Sequence, residues 1–195
     1  MESSELKKDT SNIEPVRGSI FTQKIRVPLG FIFAVVFLFF SQPKSIYIIT
    51  GLFIALCGLF LRLWSAGHLR KHRQLTISGP YRFTRNPLYL GSFLMGIGFS
   101  VAAAVFWMPI LFLVLFLAVY IPVMKREEAE LIQAYGQKYR EYLEEVPIFF
   151  PALRSASKPT ETDFLFQQLI DNKEYNSVIG FIFIACILFI KLIWL

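Results

Sequence analysis

The longest uncharged stretch of this chain, Leu88 to Met124, is the feature that most limits its fold. It contains no Asp, Glu, Lys or Arg, and it is about twice as long as the roughly 20 helical residues that cross a bilayer. Small residues and a proline interrupt it between Ala102 and Pro109. This interruption predicts two antiparallel transmembrane helices joined as a hairpin.

Three further apolar runs are candidates for membrane spans: Val27 to Phe40, Ile46 to Trp64 and Val178 to Leu195. Hydrophobic residues make up 55% of the 195-residue chain and Phe occurs 21 times, which is more apolar surface than a soluble core of this size can bury. The sequence therefore predicts an all-α integral membrane protein with about five transmembrane helices.

The polar segments divide the chain into four parts. Residues 1–26 are expected to be a polar N-terminal tail, 27–151 a membrane core, 152–177 a linker and 178–195 an additional transmembrane helix. Within the linker, DFLFQQLI is compatible with an interfacial helix. The fourth span is expected to continue as a cytoplasmic helix to about Glu145. The first apolar run is expected to be a retained anchor, since 26 residues precede it.

Basic residues cluster in the segments that would lie on one side of the membrane. They precede the first span, lie between the second and third spans, and follow the fourth, whereas the loops of the opposite side contain only Lys44. Because Lys and Arg favour the cytoplasmic side, this pattern predicts a cytoplasmic N-terminus and an external C-terminus. The net charge of +6 then indicates anionic membrane lipid rather than nucleic acid as a partner, and no obligatory protein partner is expected.

Two crowded polar stretches stand at the ends of the predicted hairpin. From Pro15 to Arg126 there is no acidic residue, and the next acidic residues are Glu127 and Glu128. Asn86 before Pro87 is a helix start signal, in which the Asn side chain can cap free backbone N–H groups. Since neighbouring helix axes lie about 8–10 Å apart, Arg85 and Asn86 are expected to lie near the two glutamates.

An aromatic stripe follows the glutamate pair. Its members are three or four residues apart and so share one face of a helix: Glu128, Leu131, Tyr135, Tyr139 and Tyr142. This face is expected to cover the loop from Gly79 to Tyr89. The two polar stretches would then form one cytoplasmic pocket at the bilayer surface.

The residues of this pocket suit a reaction that depends on placement. No P-loop or strand-associated GxGxxG is present, and His68 and His72 lack a third ligand, so no metal site is expected. S-adenosylmethionine is a fitting cofactor because it already carries an activated methyl group. Glu127 suits its amino group, Arg85 or backbone N–H groups suit its carboxylate, and aromatic faces suit its adenine and sulfonium.

The segment RQLTISGPYRFTRNPLYLG, followed by REEAELIQAYGQKYREYLEEVPIFFP, resembles the isoprenylcysteine carboxyl methyltransferase family and the related membrane phospholipid methyltransferases. Their shared pattern is a G-x-Y, an R-H-P-x-Y and an E-E-x-x-L-x-x-x-[FY]-G-x-x-Y, separated by a helical hairpin. The resemblance implies S-adenosylmethionine-dependent methyl transfer to a lipid-like or small amphipathic acceptor. The cofactor-binding residues that it implies are Arg73, Gln74, Leu75, Thr76, Tyr81, Asn86, Pro87, Leu88, Tyr89 and Glu127, and the expected catalytic residues are Arg85, Asn86 and Glu128.

The chain departs from the family pattern at two positions. Asn86 replaces the usual His, which keeps hydrogen bonding but removes proton transfer at neutral pH. Val123 stands where the eukaryotic prenylcysteine enzymes have a substrate-binding arginine, which argues against a prenylcysteine carboxylate as the acceptor. Gly96 and Gly98 match a G-x-G that phospholipid methyltransferases link to the cofactor, although such glycines commonly pack membrane helices.

Two other functions remain open from the sequence. Membrane sterol and enoyl reductases look like the same superfamily in their C-terminal region, including a similar R-H-P-x-Y, and use NADPH. A non-catalytic protein whose basic loops bind anionic lipid would also carry this charge pattern.

Overall fold

The computed structural model describes residues 30, 32–70, 74–152 and 163–194. Several predictions lie outside these residues: the polar tail 1–26, the beginning of the first span, the cofactor-binding role of Arg73, and the first part of the linker. His72, half of the histidine pair, also lies outside them.

Most of the described residues are helical, with no strand among them, so the predicted all-α membrane fold is confirmed. The helices, in chain order, are α1 (32–40), α2 (Ser45–His68), α3 (Pro87–Ala102), α4 (Trp107–Tyr135), α5 (Gln137–Glu145), α6 (Phe166–Asp171) and α7 (Tyr175–Trp194). A short 3-10 turn, Gly79–Arg82, lies between α2 and α3.

Three of these helices, α2, α4 and α7, are long and apolar enough to cross a membrane, and α3 is a shorter apolar helix. The count of five spans stays a prediction, because α1 is described only from residue 32. Helix α3 begins where α2 ends and runs back beside it. We call the end of the bundle where α2 finishes and α3 begins the polar end, and the opposite end the far end.

Glycines allow α2 and α3 to pack backbone against backbone. A Cβ placed on Gly58 of α2 would lie 2.6 Å from the carbonyl oxygen of Gly91, and one on Gly98 of α3 would lie 2.6 Å from the carbonyl oxygen of Gly51. Such close approach is typical of membrane helices that associate through small residues. It fixes α3, and with it the loop that precedes α3, against the end of α2.

The predicted hairpin is formed by α3 and α4. Its turn lies between Ala102 and Trp107 and includes Ala104 at a positive φ of 56°. Aromatic rings join the two helices along their length, as in the 5.1 Å contacts of Phe93 with Phe116 and of Tyr89 with Tyr120. The antiparallel pairing brings the start of α3 and the latter part of α4 to the polar end.

The prediction of one continuous helix from the fourth span to Glu145 is wrong at Gly136. Helix α4 ends at Tyr135, Gly136 adopts φ 55° and ψ −128°, and α5 begins at Gln137. A side chain rarely tolerates this backbone conformation, whereas glycine does. The turn directs α5 so that Tyr139 and Tyr142 pack with Leu75 and Ile77 in a buried cluster.

The C-terminal segment is attached to the bundle at both ends. At the polar end, the N–H of Leu165 donates to the carbonyl of Gly67 at 3.1 Å, and the amide of Asn172 donates to the carbonyls of Ala66 and Leu69. At the far end, Lys191 of α7 donates to the carbonyls of Leu38 and Ser41. Helix α7 is therefore held against α1 and α2.

Candidate active site

The loop before α3 is held by the segment that follows α5. The backbone N–H of Arg85 donates to the carbonyl of Pro147 at 2.9 Å, and the hydroxyl of Thr84 donates to the carbonyl of Phe149 at 2.8 Å. The side-chain amide of Asn86 donates to the carbonyl of Ile148 at 2.9 Å. The predicted capping of α3 by the Asn86 side chain is therefore wrong: this amide ties the loop to the neighbouring segment instead.

The two glutamates of α4 meet this loop and the first turn of α3. Arg85 forms an ion pair with Glu128, with 2.6 Å between Nη1 and Oε2. The hydroxyl of Tyr89 donates to Oε1 of Glu127, also at 2.6 Å. The structure thus brings the hairpin's entrance and exit together, as the sequence predicts. Sequence reasoning did not show which glutamate pairs with which partner.

The two pairs differ in their access to solvent. The side chains of Arg85 and Glu128 are 14% and 28% exposed, so this ion pair is partly buried. The Tyr89–Glu127 pair, by contrast, is exposed. The Nε atoms of Arg82 and Arg85 are buried and have no hydrogen-bond partner among the described residues. The polar end therefore combines accessible carboxylate with positive charge.

The glycine turn is shaped by the end of α2. Gly79 has φ 55°, and a Cβ at this position would lie 2.5 Å from Cδ2 of His68. His68 Nδ1 lies 3.2 Å from the hydroxyl of Ser78, and the His68 ring meets the Phe164 ring edge to face at 5.9 Å. His68 thus supports the turn that contains Tyr81. The described residues contain no group of three metal-ligating side chains.

Tyr81 lies where several elements converge. Its residue is 8% exposed, and its backbone carbonyl accepts a 2.7 Å hydrogen bond from the Tyr142 hydroxyl of α5. Burial, followed by the nearby groups Tyr142, Glu127, Glu174 and Tyr89, raises the pKa of the Tyr81 hydroxyl far above its ordinary value. This hydroxyl remains protonated at neutral pH, so it can donate a hydrogen bond but cannot act as a base.

The four residues before the glycine turn that were predicted to contact the cofactor differ in their surroundings. Gln74 is exposed, and Arg73 lies outside the described residues. Leu75 packs in the cluster with Tyr139 and Tyr142, and the Thr76 hydroxyl accepts a 3.2 Å hydrogen bond from the N–H of Arg70. The side chains of Leu75 and Thr76 are therefore engaged within the fold.

The remaining predicted residues belong to the first turn of α3. Pro87 is fully buried, and the Leu88 carbonyl accepts hydrogen bonds from Ser92 at 3.0 Å and from Arg62 at 3.5 Å. Gly98 lies against the backbone of α2, and a Cβ on Gly96 would meet the ring of Phe112 in α4. Both glycines of the G-x-G thus pack helices.

Sequence reasoning missed a second polar cluster beside this site. Arg62 of α2 binds Glu174, with 2.7 Å between Nη2 and Oε1 and 3.1 Å between Nε and Oε2. Arg62 also donates to Ser177 of α7 and to Ser92 of α3. A signal was present, because a charged residue inside a membrane span needs a partner, and Glu174 is an acid at the start of the last span.

These features define a class: a multi-pass α-helical membrane protein with a polar, partly exposed site at one end of a helical hairpin. Residues 46–138 match the family model described as Phospholipid methyltransferase, so this region of the chain is similar to that family. The match includes α2, α3, α4 and the predicted site residues from Arg73 to Glu128, and it ends before α6 and α7.

Two curated relatives each match 94 residues of the chain. The chain is 32% identical over 94 residues to the cobalt-zinc-cadmium resistance protein CzcN of Cupriavidus metallidurans, covering 47% of this chain and 43% of the relative. It is 30% identical over 94 residues to the nickel-cobalt-cadmium resistance protein NccN of Alcaligenes xylosoxydans xylosoxydans, covering 47% and 44%.

A third relative is a reductase. Identity to mouse Delta(14)-sterol reductase TM7SF2 is 32% over 76 residues, covering 38% of this chain and 18% of the relative. The chain thus spans less than half the length of each of these three relatives. No solved structure matches it.

Proposed function

We propose that this protein transfers the methyl group of S-adenosylmethionine to a lipid-like or small amphipathic acceptor at the cytoplasmic face of the membrane. One observation carries the proposal: within the family-matched region, the successive glutamates of α4 bind Arg85 and Tyr89 of the loop and helix that open the hairpin. The family match supports the reaction class. The donor, the acceptor and the membrane side are the proposed parts.

The groups at the polar end fit the proposed donor. Glu127 offers an accessible carboxylate for the donor's amino group, and Arg85 offers a guanidinium for its carboxylate. Within the part of the chain that the structure describes, the Nε atoms of Arg82 and Arg85 have no hydrogen-bond partner, in keeping with a site for an anionic group. The rings of Tyr89 and Tyr120, 5.1 Å apart, offer aromatic faces for adenine or a sulfonium. When bound, S-adenosylmethionine supplies an electrophilic methyl group.

In the proposed reaction, the residues of the chain act by placement and electrostatics. Asn86 carries no titratable group, and Tyr81 stays protonated because burial raises its pKa. A carboxylate acceptor would need no general base, whereas an amine acceptor would need to lose its proton before attack. Holding donor and acceptor in line and excluding water are the contributions expected from this site.

The acceptor is expected to approach from the membrane. Next to Tyr89, aromatic rings of the hairpin and of the segment after α5 contact one another: Phe93, Phe112, Phe116, Tyr120 and Phe149. An apolar tail could lie along these rings or in the surrounding lipid while the polar head reaches the glutamate pair. An amphipathic acceptor satisfies both surroundings, and the identity of its head group stays a proposal.

Calorimetry on the purified protein in detergent tests the donor. We expect S-adenosylmethionine to bind, and Glu127→Ala to weaken binding by about tenfold or more, since a hydrogen bond to a charged group contributes about 1.5–3 kcal/mol. Tyr81→Phe and Asn86→Ala are expected to weaken binding as well. Glu130→Gln is the matched control, because Glu130 pairs with Arg126 on the surface of the same helix. Equal affinity in Glu127→Ala and Glu130→Gln would contradict the proposal.

A second candidate function is that of an NADPH-dependent membrane reductase. The observation that favours it is the identity of this chain to a region of Delta(14)-sterol reductase TM7SF2. The same calorimetric cell separates the two candidates. Binding of NADPH without binding of S-adenosylmethionine or S-adenosylhomocysteine would favour the reductase.

A further inference from the structure

We infer that Glu174 is a positioning residue of the proposed methyl-transfer site, through which the C-terminal helix α7 fixes the start of α3. The inference deepens the proposed function and rests on it for the reaction. Glu174 lies outside the family-matched region, and it is 5% exposed, with Arg62 as its ion-pair partner.

The contact of Glu174 with Arg62 is a two-point one. The Nε and Nη2 atoms of Arg62 each bind a different carboxylate oxygen of Glu174, at 3.1 and 2.7 Å. Such a fork fixes orientation as well as distance. Ser177 supports it from α7, because its hydroxyl donates to Glu174 at 2.9 Å. Glu174 therefore sets the direction in which the remaining guanidinium nitrogen of Arg62 points.

That remaining nitrogen reaches the first turns of α3. Nη1 of Arg62 donates to the hydroxyl of Ser92 and lies 3.5 Å from the carbonyl oxygen of Leu88. The path of the side chain is open because α3 has glycine where the arginine passes: a Cβ on Gly91 would lie 2.6 Å from Cγ of Arg62. The arginine thus joins α7 to the turn of α3 that contains Tyr89.

In this turn of α3, the hydroxyl of Tyr89 donates a hydrogen bond to Glu127. A shift of the turn would therefore move the Tyr89–Glu127 pair, which the proposed function assigns to the donor. Glu174 also lies near enough to Tyr81 to act on its hydroxyl. A purely structural ion pair between α2 and α7 would not need contacts to Leu88 and Ser92 of α3.

Hydrogen exchange tests the mechanical part without any ligand. In the full-length protein in detergent, Glu174→Gln should speed exchange of the α3 amides of residues 90–95 severalfold. Arg62→Lys should do the same, since it keeps the charge but cannot form the fork. Ser177→Ala, which keeps the ion pair, is a milder variant for which a smaller change of the same kind is expected. Unchanged α3 exchange in both Glu174→Gln and Arg62→Lys, relative to the control Glu130→Gln, would overturn the inference.

Donor affinity tests the link to the site. We expect Glu174→Gln to weaken S-adenosylmethionine binding by about tenfold, because small displacements of binding groups have large effects. Combined with Tyr89→Phe, its effect should be less than the product of the two single effects, since both act on one pair. A purely structural role would lower the melting temperature and leave the affinity of the folded protein unchanged, which would overturn the inference. If the wild type binds no donor, the proposed function fails, and hydrogen exchange alone decides whether Glu174 positions α3.

Discussion

At the scale of a single residue, Tyr139 is expected to make the stability of the protein fall at alkaline pH. Burial, then the nearby Glu128, raises its pKa to about 12, compared with about 10 for an unfolded tyrosine. Between these values the unfolded chain releases the proton while the folded protein retains it, so the stability contributed by Tyr139 is complete below pH ~10 and is lost as pH rises towards 12.

Melting temperatures would check this expectation if they are measured from about pH 9, about one unit below the unfolded pKa, to about pH 12, about two units above it. The wild type should lose stability steadily over the upper part of that range, and Tyr139→Phe should lose less, because phenylalanine does not titrate. Tyr175→Phe is the control, since Tyr175 is exposed at the start of α7. Identical pH slopes in the wild type and Tyr139→Phe would show that this tyrosine is not the cause.

At this scale, the sequence could predict proximity but not pairing. Charge and hairpin geometry predict that Arg85 and Asn86 lie near Glu127 and Glu128, and in the structure Arg85 pairs with Glu128 while Tyr89 binds Glu127. The partner of Asn86 is a carbonyl at residue 148, which depends on how the chain returns after α5. Local helix signals predicted that the Asn86 side chain caps α3, but this side chain binds a segment distant in sequence instead.

At the scale of elements, the contact of α2 with α3 depends on the absence of side chains. We expect Gly58→Ala to destabilise the protein by about 1–3 kcal/mol, the usual effect of overpacking. The added Cβ would meet the backbone of Gly91 and Met95 at 2.6 Å, and backbone atoms cannot rotate away. Thermal unfolding in detergent measures the effect.

The matched control is Gly180→Ala in α7, where an added Cβ meets nothing within 4 Å. This change should be neutral or slightly stabilising, because alanine is the better helix former. A Gly58→Ala protein as stable as Gly180→Ala would mean that α2 and α3 do not pack as closely as described.

The pattern of apolar and polar residues explains why the hairpin could be predicted from the sequence and the end of α4 could not. The hairpin was predictable because an uncharged run too long for one span was broken by small residues and a proline. The end of α4 was not, because the stripe that continues through Tyr139 and Tyr142 has helical spacing on both sides of Gly136. The turn at Gly136 becomes evident only once the cluster around Leu75 and Ile77 is known.

At the scale of the whole molecule, α7 is the part that sequence left without a role. The fold ties it to α2 through Glu174 and to the end of α1 through Lys191. Both contacts join residues more than 100 positions apart, and no local pattern encodes such pairing. The family match ends before this helix, so the contribution to the site that we infer for α7 rests on the fold alone.

The orientation of the whole molecule in the membrane gives the last prediction. Described basic residues are concentrated at the polar end, where Arg70, Arg82, Arg85, Lys125, Arg126, Lys138, Arg140 and Lys173 lie, whereas Lys44 and Lys191 lie at the far end. This asymmetry predicts that the polar end faces the cytoplasm, where S-adenosylmethionine would be available to the proposed site.

Single cysteines and a membrane-impermeant thiol reagent test this orientation. The native Cys57 and Cys186 are first replaced by alanine, and this parent protein is the unlabelled control. Phe106→Cys at the far end, where the native side chain is 86% exposed, should react in membranes that are sealed with their cytoplasmic face inward. Gln137→Cys at the start of α5 should react only after the membrane is permeabilised. The reverse pattern would place the Tyr89–Glu127 pair on the non-cytoplasmic side of the membrane, away from a cytosolic methyl donor, and the proposed function would then fail together with the orientation.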